Sequence, residues 1–238
     1  MAITTDLVEY THIGDTLEAF VARDDSKSEA PCVLVCHAWA GRSAHEEDVA
    51  KRLAELGYVG IAVDVYGKGV HGETTEECNS LMTPFVEDRA MLQDRLKAAL
   101  TTAQGLDYVQ ADNIAVCGYC FGGLCALDMA RSGAAVKGAA SFHGLFMKPG
   151  NTDGQKISAK VVAYHGWDDP MAKPEDVMNF TQEMSAAEAD WQLHAYGGTM
   201  HAFTNKQAND PDFGTVYSAD ADQRCWAAFK DFLREVLD

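Results

Sequence analysis

A mostly parallel, doubly wound α/β sheet with an antiparallel start is the architecture that this sequence predicts, and three observations predict it. Strand-length apolar runs alternate with segments of helical period from residue 32 to the C-terminus. The run 32–38 (Cys-Val-Leu-Val-Cys-His-Ala) is almost continuously apolar, as expected of a strand buried on both faces. Two short strands, near 7–11 and 17–23, precede it and lie close enough in sequence to pair as a hairpin.

Each later element follows from its local pattern. Val49, Leu53 and Leu56 recur at i, i+4 and i+7, and Gly57 supplies a helix stop. Residues 60–66 read as a buried strand, followed by a Gly/His/Glu-rich loop and one long amphipathic helix over about 83–105. A strand at 114–119 runs into a helix at 121–132, closed by Gly133. Strands are expected at 136–143 and 160–165, with a loop at 147–154 between them. A helix over 174–187 has proline in its first turn, 191–196 is the last strand, and 219–237 is the closing helix. With no repeat or long linker, residues 1–238 read as a single domain.

The 238 residues carry a net charge of −17, from 36 acidic against 19 basic side chains. Such a surface repels phosphate backbones and anionic lipid, so nucleic-acid and membrane partners are not expected. No apolar stretch has the length of a membrane span, and residues 1–6 lack the pattern of a signal peptide, so a cytoplasmic location is expected. The seven cysteines are an odd number, which does not suggest a disulfide framework. Monomer and small homo-oligomer are equally compatible with the sequence.

One cysteine stands apart. Gly118-Tyr119-Cys120-Phe121-Gly122-Gly123 links the strand 114–119 to the next helix, a setting where a nucleophile sits on a sharp, strained turn between small neighbours. The helix N-terminus aimed at such a thiol favours its thiolate. A thiol nucleophile needs a base, and the base an orienting carboxylate. Carboxylates follow the strand 160–165 at Asp168 and Asp169, and His201 follows the strand 191–196. In open parallel sheets the strand ends that carry these loops form one edge, so three suitable side chains emerge in the order nucleophile, acid, histidine. Spacing alone leaves Asp168 and Asp169 open, with Asp169 the first choice. The backbone N–H groups of Phe121 and of Trp39, in the loop after 32–38, are the candidate oxyanion-hole donors. No H-E-x-x-H or paired zinc spacing occurs, so neither a metal nor another cofactor is expected.

The turn 118–123, the segment 57–67 (Gly-Tyr-Val-Gly-Ile-Ala-Val-Asp-Val-Tyr-Gly), His165-Gly166-x-x-Asp169 and His201-Ala202-Phe203 together resemble the dienelactone hydrolase family over essentially the whole chain. The resemblance implies an α/β-hydrolase fold with helices on both faces and no large lid domain. It implies a Cys-His-Asp triad, which selects Asp169 over Asp168 beside Cys120 and His201. It further implies hydrolysis of a small carboxylate-bearing lactone. Two positions depart from the family pattern: a loop glutamate matches Ala38, and an arginine four residues past the histidine matches Asn205. Ala38, Arg89 and Phe203 are the candidate substrate contacts, Arg89 as a carboxylate partner. The expected function is hydrolysis of small esters or lactones through a thioester acyl-enzyme. Two rivals predict different chemistry: a thiol-disulfide oxidoreductase using Cys117 and Cys120, and a non-catalytic binding protein on a hydrolase scaffold.

Overall fold

Strand hydrogen bonding in the computed structural model, which describes residues 2–238, builds one eight-stranded sheet. β1 (Ile3–His12) and β2 (Asp15–Asp24) form the expected hairpin, longer than the sequence pattern indicated. β2 pairs antiparallel with β4 (Val59–Val63), and every later pairing is parallel. β3 (Ala30–Cys36) lies between β4 and β5 (Val109–Tyr119). Beyond β5 come β6 (Gly138–Phe142), β7 (Lys160–Gly166) and β8 (Trp191–Tyr196). The chain thus moves from β3 to β4 on one side and then crosses back to β5 on the other. This reversal opens a crevice at the carboxyl ends of β3 and β5, where ligands bind in doubly wound sheets.

Both faces of the sheet are covered, which is why the central strands are apolar at every position. Cys32, Leu34 and Cys36 of β3 pack on the side of α3 (Arg89–Gln104) and α4 (Phe121–Arg131), with α5 (Pro174–Ala186) further along. Val33 and Val35 pack on the other side, against α1 (Ala44–Glu55) and α6 (Ala219–Leu237). Alternating side chains therefore feed two cores. Among the described residues, no helix is long and apolar enough to cross a membrane.

Two sequence expectations need correction. The single helix expected over 83–105 is two helices, α2 (Thr75–Glu87) and α3. Asp88 breaks them: its backbone leaves the helical region at ψ 84°, and its carboxylate caps α3 by accepting from the Met91 N–H at 2.9 Å. α2 starts early because Thr74 and Glu77 form a reciprocal capping box, a signal hidden in what read as loop. The strand expected to reach Tyr66 stops at Val63, because the Asp64 carboxylate accepts from the N–H groups of Tyr66 and Gly67, both at 2.9 Å, and turns the chain. A small hairpin, β9 (Asn209–Asp210) with β10 (Thr215–Val216), lies where no element was expected.

Candidate active site

The turn from β5 into α4 places Cys120 at φ 56°, ψ −116°, a backbone strained for any residue with a side chain. The Cys120 N–H donates to the Phe142 carbonyl of β6 at 3.0 Å, which fixes the turn to the sheet. Gly122 explains the motif: a Cβ there would stand 2.1 Å from the Cys36 carbonyl oxygen, so only glycine lets α4 start against the end of β3. Cys120 is half-buried, at the floor of a cleft of about 650 Å³. The cleft is walled by the loop after β3, by α2 and by the segment around β9 and β10.

His201 lines the same cleft. Its Nδ1 lies 2.7 Å from Asp169 Oδ2, and both side chains are buried. Asp169 Oδ1 accepts from the Met171 N–H at 2.8 Å, so its loop is fixed from behind. Asp168, the other sequence candidate, is exposed. His201 is held through its backbone: its N–H donates to the Gly214 carbonyl at 3.0 Å, and its own carbonyl accepts from Val216 at 3.1 Å. The unexpected hairpin therefore carries the histidine. Burial disfavours a charge on His201, but Cys120 and Asp169 beside it outweigh that cost and raise its pKa from 6.5 to about 10. The proton sits on an imidazole flanked by a sulfur and a carboxylate.

The two oxyanion-hole candidates are both free to act. Neither the Phe121 N–H, first in α4, nor the Trp39 N–H has a hydrogen-bond acceptor among the described residues. Trp39 is oriented by His37, two residues before it in the chain. His37 is fully buried, and its Nε2 accepts from the Val65 N–H at 3.1 Å. Nδ1 consequently carries the ring proton and lies 2.7 Å from the Ala38 carbonyl. In a trans peptide the N–H points opposite to the C=O, so holding the Ala38 carbonyl toward His37 turns the Trp39 N–H the other way. Burial lowers the His37 pKa and keeps this neutral, bridging form. Tyr66 completes the support: its hydroxyl donates to the Trp39 carbonyl at 2.9 Å and its ring stacks on Phe121.

The three substrate contacts named from the sequence do not come together. Ala38 lines the cleft. Arg89 does not: its Nε and Nη2 hold the fully buried Asp128, and its Nη1 donates to the Met147 carbonyl at 3.1 Å. A guanidinium so engaged has no edge left for a substrate carboxylate. Phe203 also stays out of the cleft, fully buried against Tyr196 and His143. His143, which sequence reasoning missed, lines the cleft instead, with its ring 5.1 Å from that of His201 and its Nε2 2.8 Å from Thr204 Oγ1. Its backbone φ of 39° is the kind of strain that collects at functional sites, and no sequence signal marked it. Cys117 is completely buried on the opposite core from Cys120, and burial pushes its thiol well above the ordinary range. Among the described residues, no cluster of three or more acidic, histidine or cysteine side chains is arranged to hold a metal.

Comparison with known proteins shows which family and fold this chain is similar to. The dienelactone hydrolase family matches residues 17–237. A Bradyrhizobium sp. protein named "Probable 2-oxo-3-(5-oxofuran-2-ylidene)propanoate lactonase" is 27% identical over 242 residues, covering 98% of this chain and 94% of that protein. The crystal structure of a dienelactone hydrolase-like promiscuous phosphotriesterase from metagenomic libraries superposes with a TM-score of 0.95 at 29% identity, covering 100% of each chain. The dienelactone hydrolase of Anabaena variabilis shares the fold, with a TM-score of 0.70 at 16% identity over 99% of each chain.

Proposed function

Because the chain belongs to the dienelactone hydrolase family, we propose that it hydrolyses small carboxylic esters or lactones through a covalent thioester on Cys120. The observation that carries this reading is the 2.7 Å contact of His201 with Asp169 in the cleft that opens on the strained Cys120 turn. In this reading the Cys120 thiolate attacks the substrate carbonyl carbon, forming a C–S bond and moving the carbonyl electron pair onto oxygen. The N–H groups of Phe121 and Trp39 stabilise that oxyanion. As the C–O bond to the leaving group breaks, the His201 imidazolium donates its proton to the departing alkoxide. His201 then takes a proton from water, which attacks the thioester and releases the acid and the thiolate. Asp169 keeps His201 in the tautomer that this cycle needs. A thiolate is itself easily expelled from the tetrahedral intermediate, which favours good leaving groups over peptide amines.

The seven free cysteines fit a reducing compartment, and a cytoplasmic location is part of the proposal. Hydrolysis of an ester and lactone panel by wild type, Cys120→Ala, His201→Ala and Cys117→Ser tests the chemistry. Both Cys120→Ala and His201→Ala are expected to lose about 10³-fold or more in kcat. Cys117→Ser should retain activity within about threefold, since its thiol lies in the core rather than the cleft. Intact-mass spectrometry should detect an acyl adduct on wild type and none on Cys120→Ala. Turnover surviving in Cys120→Ala would refute the proposal, and loss with Cys117→Ser alone would favour thiol exchange.

A further inference from the structure

The charges around the cleft go further than the reaction class. Among the described residues, no lysine or arginine lines it, and its charged side chains besides the histidines are Glu46 and Asp210. Glu46 is 1% exposed and accepts from Ser43 N–H at 2.9 Å, Ser43 Oγ at 2.7 Å and Ala38 N–H at 3.3 Å. It is a fixed, buried acceptor at the wall of the site. Arg42 lies between two lining residues, Gly41 and Ser43, but its guanidinium is drawn off by Glu18 and Glu47. Lys206 follows Asn205 in the chain without lining the cleft. The proton on His201 is balanced by Cys120 and Asp169, and burial holds His143 well below the ordinary imidazole range. The whole-molecule charge of −17 adds to the same sign.

Apolar side chains form part of the remaining wall, beside uncharged polar ones such as Asn79, Thr204 and Asn205. The rings of Trp39 and Phe213 stack at 5.9 Å with an interplanar angle of 27°, and Phe213 is 43% exposed. Met82, Leu145 and Met171 complete a surface suited to a ring or short alkyl group.

Resting on the hydrolase reading above, we infer that the cleft takes uncharged esters or lactones bearing an apolar group and discriminates against substrates that carry a carboxylate. A carboxylate entering here leaves water for a cleft lined by no lysine or arginine and walled in part by the buried Glu46, so no salt bridge to such a side chain offsets its desolvation. An uncharged ring loses only apolar hydration on contact with Trp39 and Phe213.

The test uses two esters of nearly equal size, methyl 4-acetoxybenzoate and 4-acetoxybenzoate, with phenol release followed and each rate normalised to its spontaneous hydrolysis by hydroxide. Wild type is expected to favour the uncharged ester in kcat/KM by at least about tenfold. Asn205→Arg places a cation on the wall and should shrink that ratio by about threefold or more. Raising the salt to about 1 M should shrink the wild-type ratio in the same direction, which gives a readout independent of the variant's folding. Equal or inverted preference in wild type, with Cys120→Ala inactive, overturns the charge selection and leaves the hydrolase reading standing. A preference that neither Asn205→Arg nor salt moves also overturns it. Hydrolysis of neither ester above the Cys120→Ala level overturns both.

Discussion

At the scale of single residues, the site depends on where one proton rests. His201 gains its raised pKa against the cost of burial, mainly from Cys120 and then from Asp169. The sign follows from linkage: a group whose pKa is raised on folding stabilises the folded state fully below its unfolded value of 6.5, and that contribution is lost as pH rises from there through about 10. The His201 Hε1 resonance is therefore expected to titrate near pH 10 in wild type and distinctly lower in Cys120→Ala, where the largest raising partner is gone. An unchanged titration in that variant would mean that the thiol does not hold the proton on the ring. His37 works differently, as a neutral bridge whose tautomer is set by the Val65 N–H and whose effect is transmitted through one peptide plane to Trp39.

At the scale of elements, the loops of the acid and the histidine support one another through Gly214. Its carbonyl holds the His201 N–H, its φ is +88°, and a Cβ added to it would stand 2.1 Å from Pro170 Cγ, next to Asp169. Gly214→Ala is expected to combine a left-handed backbone penalty of about 1–2 kcal/mol with that clash. The substitution should displace the His201 loop from the Asp169 loop and lower kcat by about tenfold or more, while KM moves little. Steady-state kinetics beside a thermal melt checks this; a fall in melting temperature with kcat intact would mean that the hairpin has no positioning role. The hairpin was invisible in the sequence because two-residue strands carry no periodicity, whereas 191–196 and 219–237 were read with their observed bounds. The break at Asp88 was missed for a related reason. The helical period runs across it, and only the cap of α3 interrupts the backbone.

At the scale of the whole molecule, a buried ionic brace joins three helices to the loop after β6. Asp128 of α4 is fully buried, with Arg89 of α3 and Arg131 of α4 on its oxygens, and Arg131 reaches Glu183 of α5. Both arginines also donate to the Met147 carbonyl. Asp128→Ala would leave two guanidinium groups without their common partner, and a loss of about 3–5 kcal/mol of stability is expected in urea denaturation. A loss under about 1 kcal/mol would mean that water or Glu183 compensates for the missing carboxylate.

The order of β-α units, the double burial of the central strands and the Cys120 turn were legible from the chain, because periodicity and glycine spacing are local consequences of backbone geometry. The sequence by itself also determined that a cysteine, an acid and a histidine follow, in that order, the ends of three strands on one sheet edge. Spacing alone left Asp168 and Asp169 open, and the tertiary structure puts the buried Asp169, the one that the family resemblance selects, against His201. Only the tertiary structure decided that Arg89 serves a buried carboxylate instead of the cleft, and that His37 orients Trp39. These outcomes depend on which side of a loop or helix faces a neighbour distant in sequence, and on the burial that sets the local cost of charge. No local pattern carries that information.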